Sequence, residues 1–137
     1  MLPLRHTGLW RISSAVILVL VLVATLSPAV WFLDSKVRAL GWFDNADKWL
    51  HAITFLLLTV WFTGLYERRA WLKTALYLVL FGFLVELCQL LLSYRTAEWS
   101  DIAANTAGII VGLIVAAAGL GDWGMRVEDW YSRRNPN

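Results

Sequence analysis

The sequence predicts an all-α protein embedded in a membrane, an integral four-helix bundle with short loops. Three observations lead there. Hydrophobic residues make up 59% of the 137 and charged residues only 16%, against about 25% charged in a typical soluble domain. Four apolar stretches each supply the roughly 17 to 25 residues needed to cross about 30 Å of hydrocarbon at 1.5 Å per residue. Little chain remains between them, so residues 1–137 read as a single membrane domain.

The first span is expected from Ile12 to Leu33. Arg5 and Arg11 ahead of it and Ser27-Pro28-Ala29 within it loosely resemble a secretory leader. The apolar run is long for a leader and Pro28 is awkward in a cleavage site, so a retained helix is the better reading. The second span is expected from Trp49 to Tyr66, the third from Trp71 to Ser93 and the fourth from Ile102 to Leu120. Residues 123–137 follow as a cytoplasmic tail. Trp123, Val127, Trp130 and Tyr131 recur there at helical spacing among charges, which suits either an interfacial helix on the inner leaflet or a solvated tail frayed at Asn135-Pro136-Asn137.

Orientation follows from the cations, because the cytoplasmic loops of inner-membrane proteins are rich in Lys and Arg. Of the 12, eight (Arg5, Arg11, Arg68, Arg69, Lys73, Arg126, Arg133, Arg134) fall on the side of the termini and four (Lys36, Arg38, Lys48, Arg95) on the other. A multi-pass protein of the bacterial inner (cytoplasmic) membrane with both termini cytoplasmic is expected. Trp10, Trp31, Trp49, Trp71, Trp99 and Trp123 near span ends suit interface anchors. A net charge of +2 gives no basic surface for nucleic acid. The single cysteine, Cys88, excludes an internal disulfide and a multi-cysteine metal site and reads as packing.

On this map the intramembrane polar residues gather toward the extracytoplasmic face. Asp47, Lys48 and His51 open the second span, Glu86 and Gln89 lie in the outer half of the third, Arg95 and Asp101 flank the outer loop, and Asn105 follows in the fourth. Spacings of four (Asp47, His51) and three (Glu86, Gln89) put each pair on one helix face. Asp101, Asn105, Gly108 and Gly112 form one stripe, whose small-xxx-small part lets helices approach closely, within the bundle or between protomers. Glu86, eight residues from Tyr94, or about 12 Å of helical rise, needs a partner in reach.

These residues carry a resemblance. D-K-x-x-H-x-x-x-F at Asp47, Lys48, His51 and Phe55, E-x-x-Q at Glu86 and Gln89, and R-x-x-x-x-S-D-x-x-x-N-x-x-G at Arg95, Ser100, Asp101, Asn105 and Gly108 resemble the VanZ-like membrane proteins. That family is named for a teicoplanin-resistance protein of glycopeptide-resistant bacteria. The resemblance covers about residues 44–113 and departs chiefly in the Arg95–Ser100 spacing, which Glu98 and Trp99 fill. It implies a cell-envelope role and an association with low-level glycopeptide resistance, and supplies no reaction.

Chemically, Lys48 and Arg95 suit the phosphate of an anionic, lipid-linked envelope substrate. His51, oriented by Asp47 or Glu86, suits general acid–base work. Asp101 and Asn105 would position a leaving group or a water. His51, Glu86 and Asp101 are therefore the candidate catalytic residues, and Asp47, Lys48, Gln89, Arg95 and Asn105 the candidate binding residues. Neither G-x-S-x-G nor H-E-x-x-H occurs, so whether the protein is an enzyme stays open. Ser100, just before a helix, reads as an N-cap ahead of a nucleophile. No metal or cofactor is expected; a divalent cation on Asp47, His51, Glu86 and Asp101 is the weaker variant.

The expected partners are membrane lipids or a lipid-linked envelope precursor. The alternative is a non-enzymatic binding protein whose polar cluster is a structural hydrogen-bond and ion-pair network. Such contacts are worth only about 0.6 kcal/mol each, which is little return for eight residues on one side. Toward the cytoplasm only Thr59, Thr63 and Tyr77 continue the polar character, too few for an ion pathway, and no broken helices or internal repeats suggest a transporter.

Overall fold

Two central helices, one of which carries glycines that let the backbones touch, organise the bundle. The computed structural model describes residues 1–27, 46–92 and 98–134, with the backbone alone at 46 and 47. The helices are α1 (Thr7–Leu26), α2 (Ala46–Thr63), α3 (Trp71–Leu90), α4 (Trp99–Val115) and α5 (Trp123–Arg134). A short 3₁₀ turn, Arg68–Ala70, leads into α3, and a π turn, Ala116–Leu120, extends α4. No strand occurs among the described residues.

Helix boundaries shift from the expected spans for identifiable reasons. α1 starts five residues before Ile12 and ends at Leu26, short of Leu33. Ser27 turns to extended backbone (φ −73°, ψ 143°), as the residue before a proline must, because the Pro28 ring crowds the α conformation at its predecessor. The remainder of that expected span lies outside the described residues. α2 ends at Thr63, short of Tyr66, where Gly64 begins a turn closed by Leu65 N–H on the Phe62 carbonyl. α4 begins at Trp99, three residues before Ile102.

Among the described residues, three helical segments are long and apolar enough to cross a membrane: Thr7–Leu26, Arg68–Leu90 and the run that begins at Trp99. The apolar part of α2, Lys48–Thr63, is shorter and lies in the middle of the bundle. A Cβ on Gly108 of α4 would strike the Ala52 carbonyl oxygen of α2, and one on Gly112 would come within 2.6 Å of Thr59 Cβ. The small-residue stripe therefore packs inside the bundle, against α2. Phe55 and Leu58 of α2, Ala75 and Leu78 of α3 and Ile109 of α4 form the apolar core beside it. α1 has no buried residue and covers this core with Ile17, Leu18 and Val21.

Burial is inverted relative to a water-soluble protein. Leu72, Leu76, Leu80 and Phe83 of α3 and Ile12, Val16, Val19 and Val23 of α1 are all at least half exposed, whereas His51, Thr59, Thr63, Glu86, Gln89, Asp101 and Asn105 are at most 4% exposed. Apolar side chains outside and polar ones inside is the arrangement hydrocarbon demands. The chain is a membrane protein.

At the far end the π turn redirects the chain. Gly119 adopts φ 140°, which a side chain would strain, and Asp122 adopts φ 62°, tolerated by Asp better than by most residues. α5 then returns onto the end of α2. The Trp123 indole lies on Gly64, where any Cβ would collide with it, and donates to the Val60 carbonyl at 3.0 Å. Trp10, Trp61 and Trp123 stack edge-on or tilted with centroids 5.1–5.9 Å apart.

Candidate functional site

Three helix ends meet opposite that tryptophan cluster. His51 comes from the first turns of α2, Glu86 from the last turns of α3, and Asp101 and Asn105 from the first turns of α4. Four-residue spacing keeps Asp101 and Asn105 on the inner face of α4, in line with the two glycines that bring α2 close. His51 Nδ1 lies 3.0 Å from Asn105 Oδ1 and 3.8 Å from Glu86 Oε1. The ring nitrogen thus faces two side-chain oxygens, the Asn105 one at hydrogen-bonding distance and the Glu86 one beyond it.

Asp101 completes the group. One ligand atom each from His51, Glu86 and Asp101 lie within 4.8 Å of one another. These are the residues that could hold a divalent cation, as one imidazole and two hard carboxylate donors. The Asn105 amide nitrogen has no hydrogen-bond acceptor among the described residues. It faces Gly82, where a Cβ would come within 3.1 Å of both that nitrogen and the Phe55 ring. Glycine at 82 is thus what allows α3 to close over Asn105.

The other candidate residues go elsewhere. Gln89 turns toward α1, its amide donating to the Thr25 carbonyl at 3.0 Å. Lys48 Nζ stands at the rim, 3.4 Å from Glu98 Oε2, with both side chains at least a third exposed. The Asp47 side chain and Arg95 lie outside the described residues. Ser100 is not the N-cap of α4. Glu98 occupies that position, its carbonyl receiving the Asp101 N–H at 3.0 Å, and the Ser100 hydroxyl donates to Glu98 Oε2 at 2.9 Å. The Ser100 hydroxyl and the Lys48 ammonium hold the Glu98 carboxyl below its ordinary pKa.

Thr59 and Thr63 are wholly buried, yet each hydroxyl donates to a carbonyl one turn back in α2, Phe55 and Thr59 respectively, both at 2.7 Å. They satisfy themselves and do not extend the cluster down the bundle. Glu98, three residues before Asp101 at the start of a helix, is an acid where the helix dipole favours one, and that placement is its signal in the sequence. Glu128, hydrogen-bonded across more than a hundred residues to the N-terminal segment, carries no local signal at all.

A family model described as VanZ/LLP1 matches residues 7–120. The chain belongs to the VanZ/LLP1 family. The match spans α1 to the π turn, so in this VanZ-family chain it extends beyond the motif region at 44–113 and includes the peripheral first helix. No curated protein and no solved structure matches the chain.

Proposed function

We propose that this VanZ-family protein binds or processes an anionic, lipid-linked cell-envelope substrate at the His51–Glu86–Asp101–Asn105 cluster, in a role connected to glycopeptide (teicoplanin) resistance. In this reading α2 also crosses the membrane, both termini are cytoplasmic, the membrane is the bacterial inner membrane and the cluster opens toward the envelope. The observation that carries it is the convergence of three ionisable side chains within 4.8 Å inside the bundle. Ionisable groups at membrane depth are expensive to keep and ordinarily mark substrate or proton sites.

His51 is the acid–base group, with Nδ1 held toward Glu86 and Asn105. Glu86 is a positioning residue that fixes the ring. Asp101 orients a water or the leaving oxygen. Lys48 attracts the headgroup from the rim, and Gln89 fixes α1 at the edge of the site.

The second reading is a structural network, favoured by the exposure of only 2–4% for His51, Glu86, Asp101 and Asn105. Mass spectrometry of lipids retained by the purified protein separates the two. Substrate handling predicts an anionic envelope lipid on the wild type that is lost in His51→Ala and Glu86→Gln, with insertion and thermal stability kept. Variants that vanish from the membrane, beside a wild type that retains no such lipid, would establish the structural network.

A further inference from the structure

Some 20 Å along α2 from His51, at 1.5 Å per residue to Gly64, lies a second feature that the cluster does not use. The N-terminal segment and α5 are clasped together there. Glu128 accepts the Arg5 backbone N–H at 2.6 Å, the His6 backbone N–H at 3.0 Å and the Trp10 indole N–H at 2.8 Å. Between the clasped elements runs a groove of about 350 Å³, lined by Arg5, Leu9, Val127, Trp130, Tyr131 and their neighbours.

We propose that this groove is a binding site for one anionic phospholipid of the leaflet on which the chain termini lie. Its walls are amphipathic in the order a phospholipid is. Leu9, Val127, Trp130 and Tyr131 are 44–63% exposed, an apolar surface that water would not favour and an acyl chain would cover. Leu9 is the third residue of α1, the first long apolar helix, so this surface begins where the bundle enters hydrocarbon.

Arginines stand at the polar end. The Arg5 guanidinium donates to Ser132 Oγ at 3.0 Å, which uses one of its five N–H donors and leaves a fork suited to phosphate. The Arg134 guanidinium is stacked 4.2 Å from the centroid of the Trp130 ring, which fixes a second cation beside the groove. The acid in the lining, Glu128, is turned inward onto three N–H donors, which stabilise its carboxylate where it stands. Cationic rim, aromatic belt and apolar floor, at a helix lying across the end of a bundle, are the features of interfacial recognition of acidic lipids.

Charge selection is the discriminating property. The test uses the full chain in mild detergent, with native mass spectrometry after addition of phosphatidylglycerol or phosphatidylcholine. Two arginines beside an acidic headgroup give roughly a 20- to 30-fold preference for phosphatidylglycerol, and Arg5→Gln, which keeps the backbone bond to Glu128, lowers it by about fivefold. Trp130→Ala, at an exposed ring, lowers retention of both lipids. Equal retention of the two lipids by the wild type, or undiminished selectivity in Arg5→Gln, would overturn the proposal. So would a dimer by light scattering that Trp130→Ala splits, since the groove would then be filled by a second copy. His51→Ala and Glu86→Gln leave this selectivity unchanged, which keeps its outcome separate from that of the cluster.

Discussion

Gly108→Ala adds one methyl group where α2 and α4 are closest, directly against the Ala52 carbonyl oxygen. A flexible side chain could rotate away from that methyl, but a helix carbonyl cannot, so the two helices must part. Overpacking of this kind costs about 1–3 kcal/mol, and a backbone obstacle argues for the upper half of that range. Alanine in place of glycine returns up to about 1 kcal/mol of helix propensity. The net expectation is a loss of about 1–2 kcal/mol, roughly a 5- to 30-fold shift of the folding equilibrium.

The measurement is denaturation of the purified protein in mild detergent by titration with dodecyl sulfate, followed by tryptophan fluorescence. Gly8→Ala is the control, because nothing lies within 4 Å of a Cβ there and only the propensity gain remains. Parting α2 from α4 also stretches the His51–Asn105 contact of 3.0 Å, so loss of stability and loss of any lipid bound at the cluster should travel together. Gly108→Ala as stable as Gly8→Ala would refute the assignment of the α2–α4 contact as the framework of the site.

Glu128→Gln replaces one of the two accepting carboxylate oxygens by an amide NH2 that cannot accept, so at least one of the three N–H donors loses its acceptor and stability falls by about 1–2 kcal/mol in the same titration. Burial alone would raise the Glu128 pKa, but the Arg5, Trp10 and His6 donors outweigh it and hold the carboxyl below its ordinary value of 4.5. A lowered folded-state pKa gives stability that is complete above that ordinary value and lost as pH falls through the folded one. The wild type should therefore lose its advantage over Glu128→Gln below about pH 4.5, and an unchanged gap would count against the clasp. Gly64→Val displaces the Trp123 indole, so α5 should become protease-sensitive and tryptophan emission should shift to the red. Lys48→Met should leave the dodecyl sulfate midpoint where it is, because the pair with Glu98 is exposed and screened by solvent.

Much of this protein was decided by its sequence alone. The apolar stretches dictate helices, since a backbone in hydrocarbon must satisfy its own hydrogen bonds, and helical periodicity put Asp101, Asn105, Gly108 and Gly112 on one face. The proline at 28 also set the end of α1, although the apolar run continued past it and hid the break. Tertiary structure decided what a one-dimensional pattern cannot carry. Gln89 shares a face with Glu86 yet donates to α1, because helix faces are wide enough to meet two neighbours. Lys48, three residues from His51, remains at the rim with Glu98, since a flexible ammonium gains more from water and an exposed carboxylate than from burial. The polar gathering is thus a buried group of His51, Glu86, Asp101 and Asn105 with a charged rim outside it. Its membership depends on which helices α2 touches, and the chain settles that only by packing glycine against a backbone.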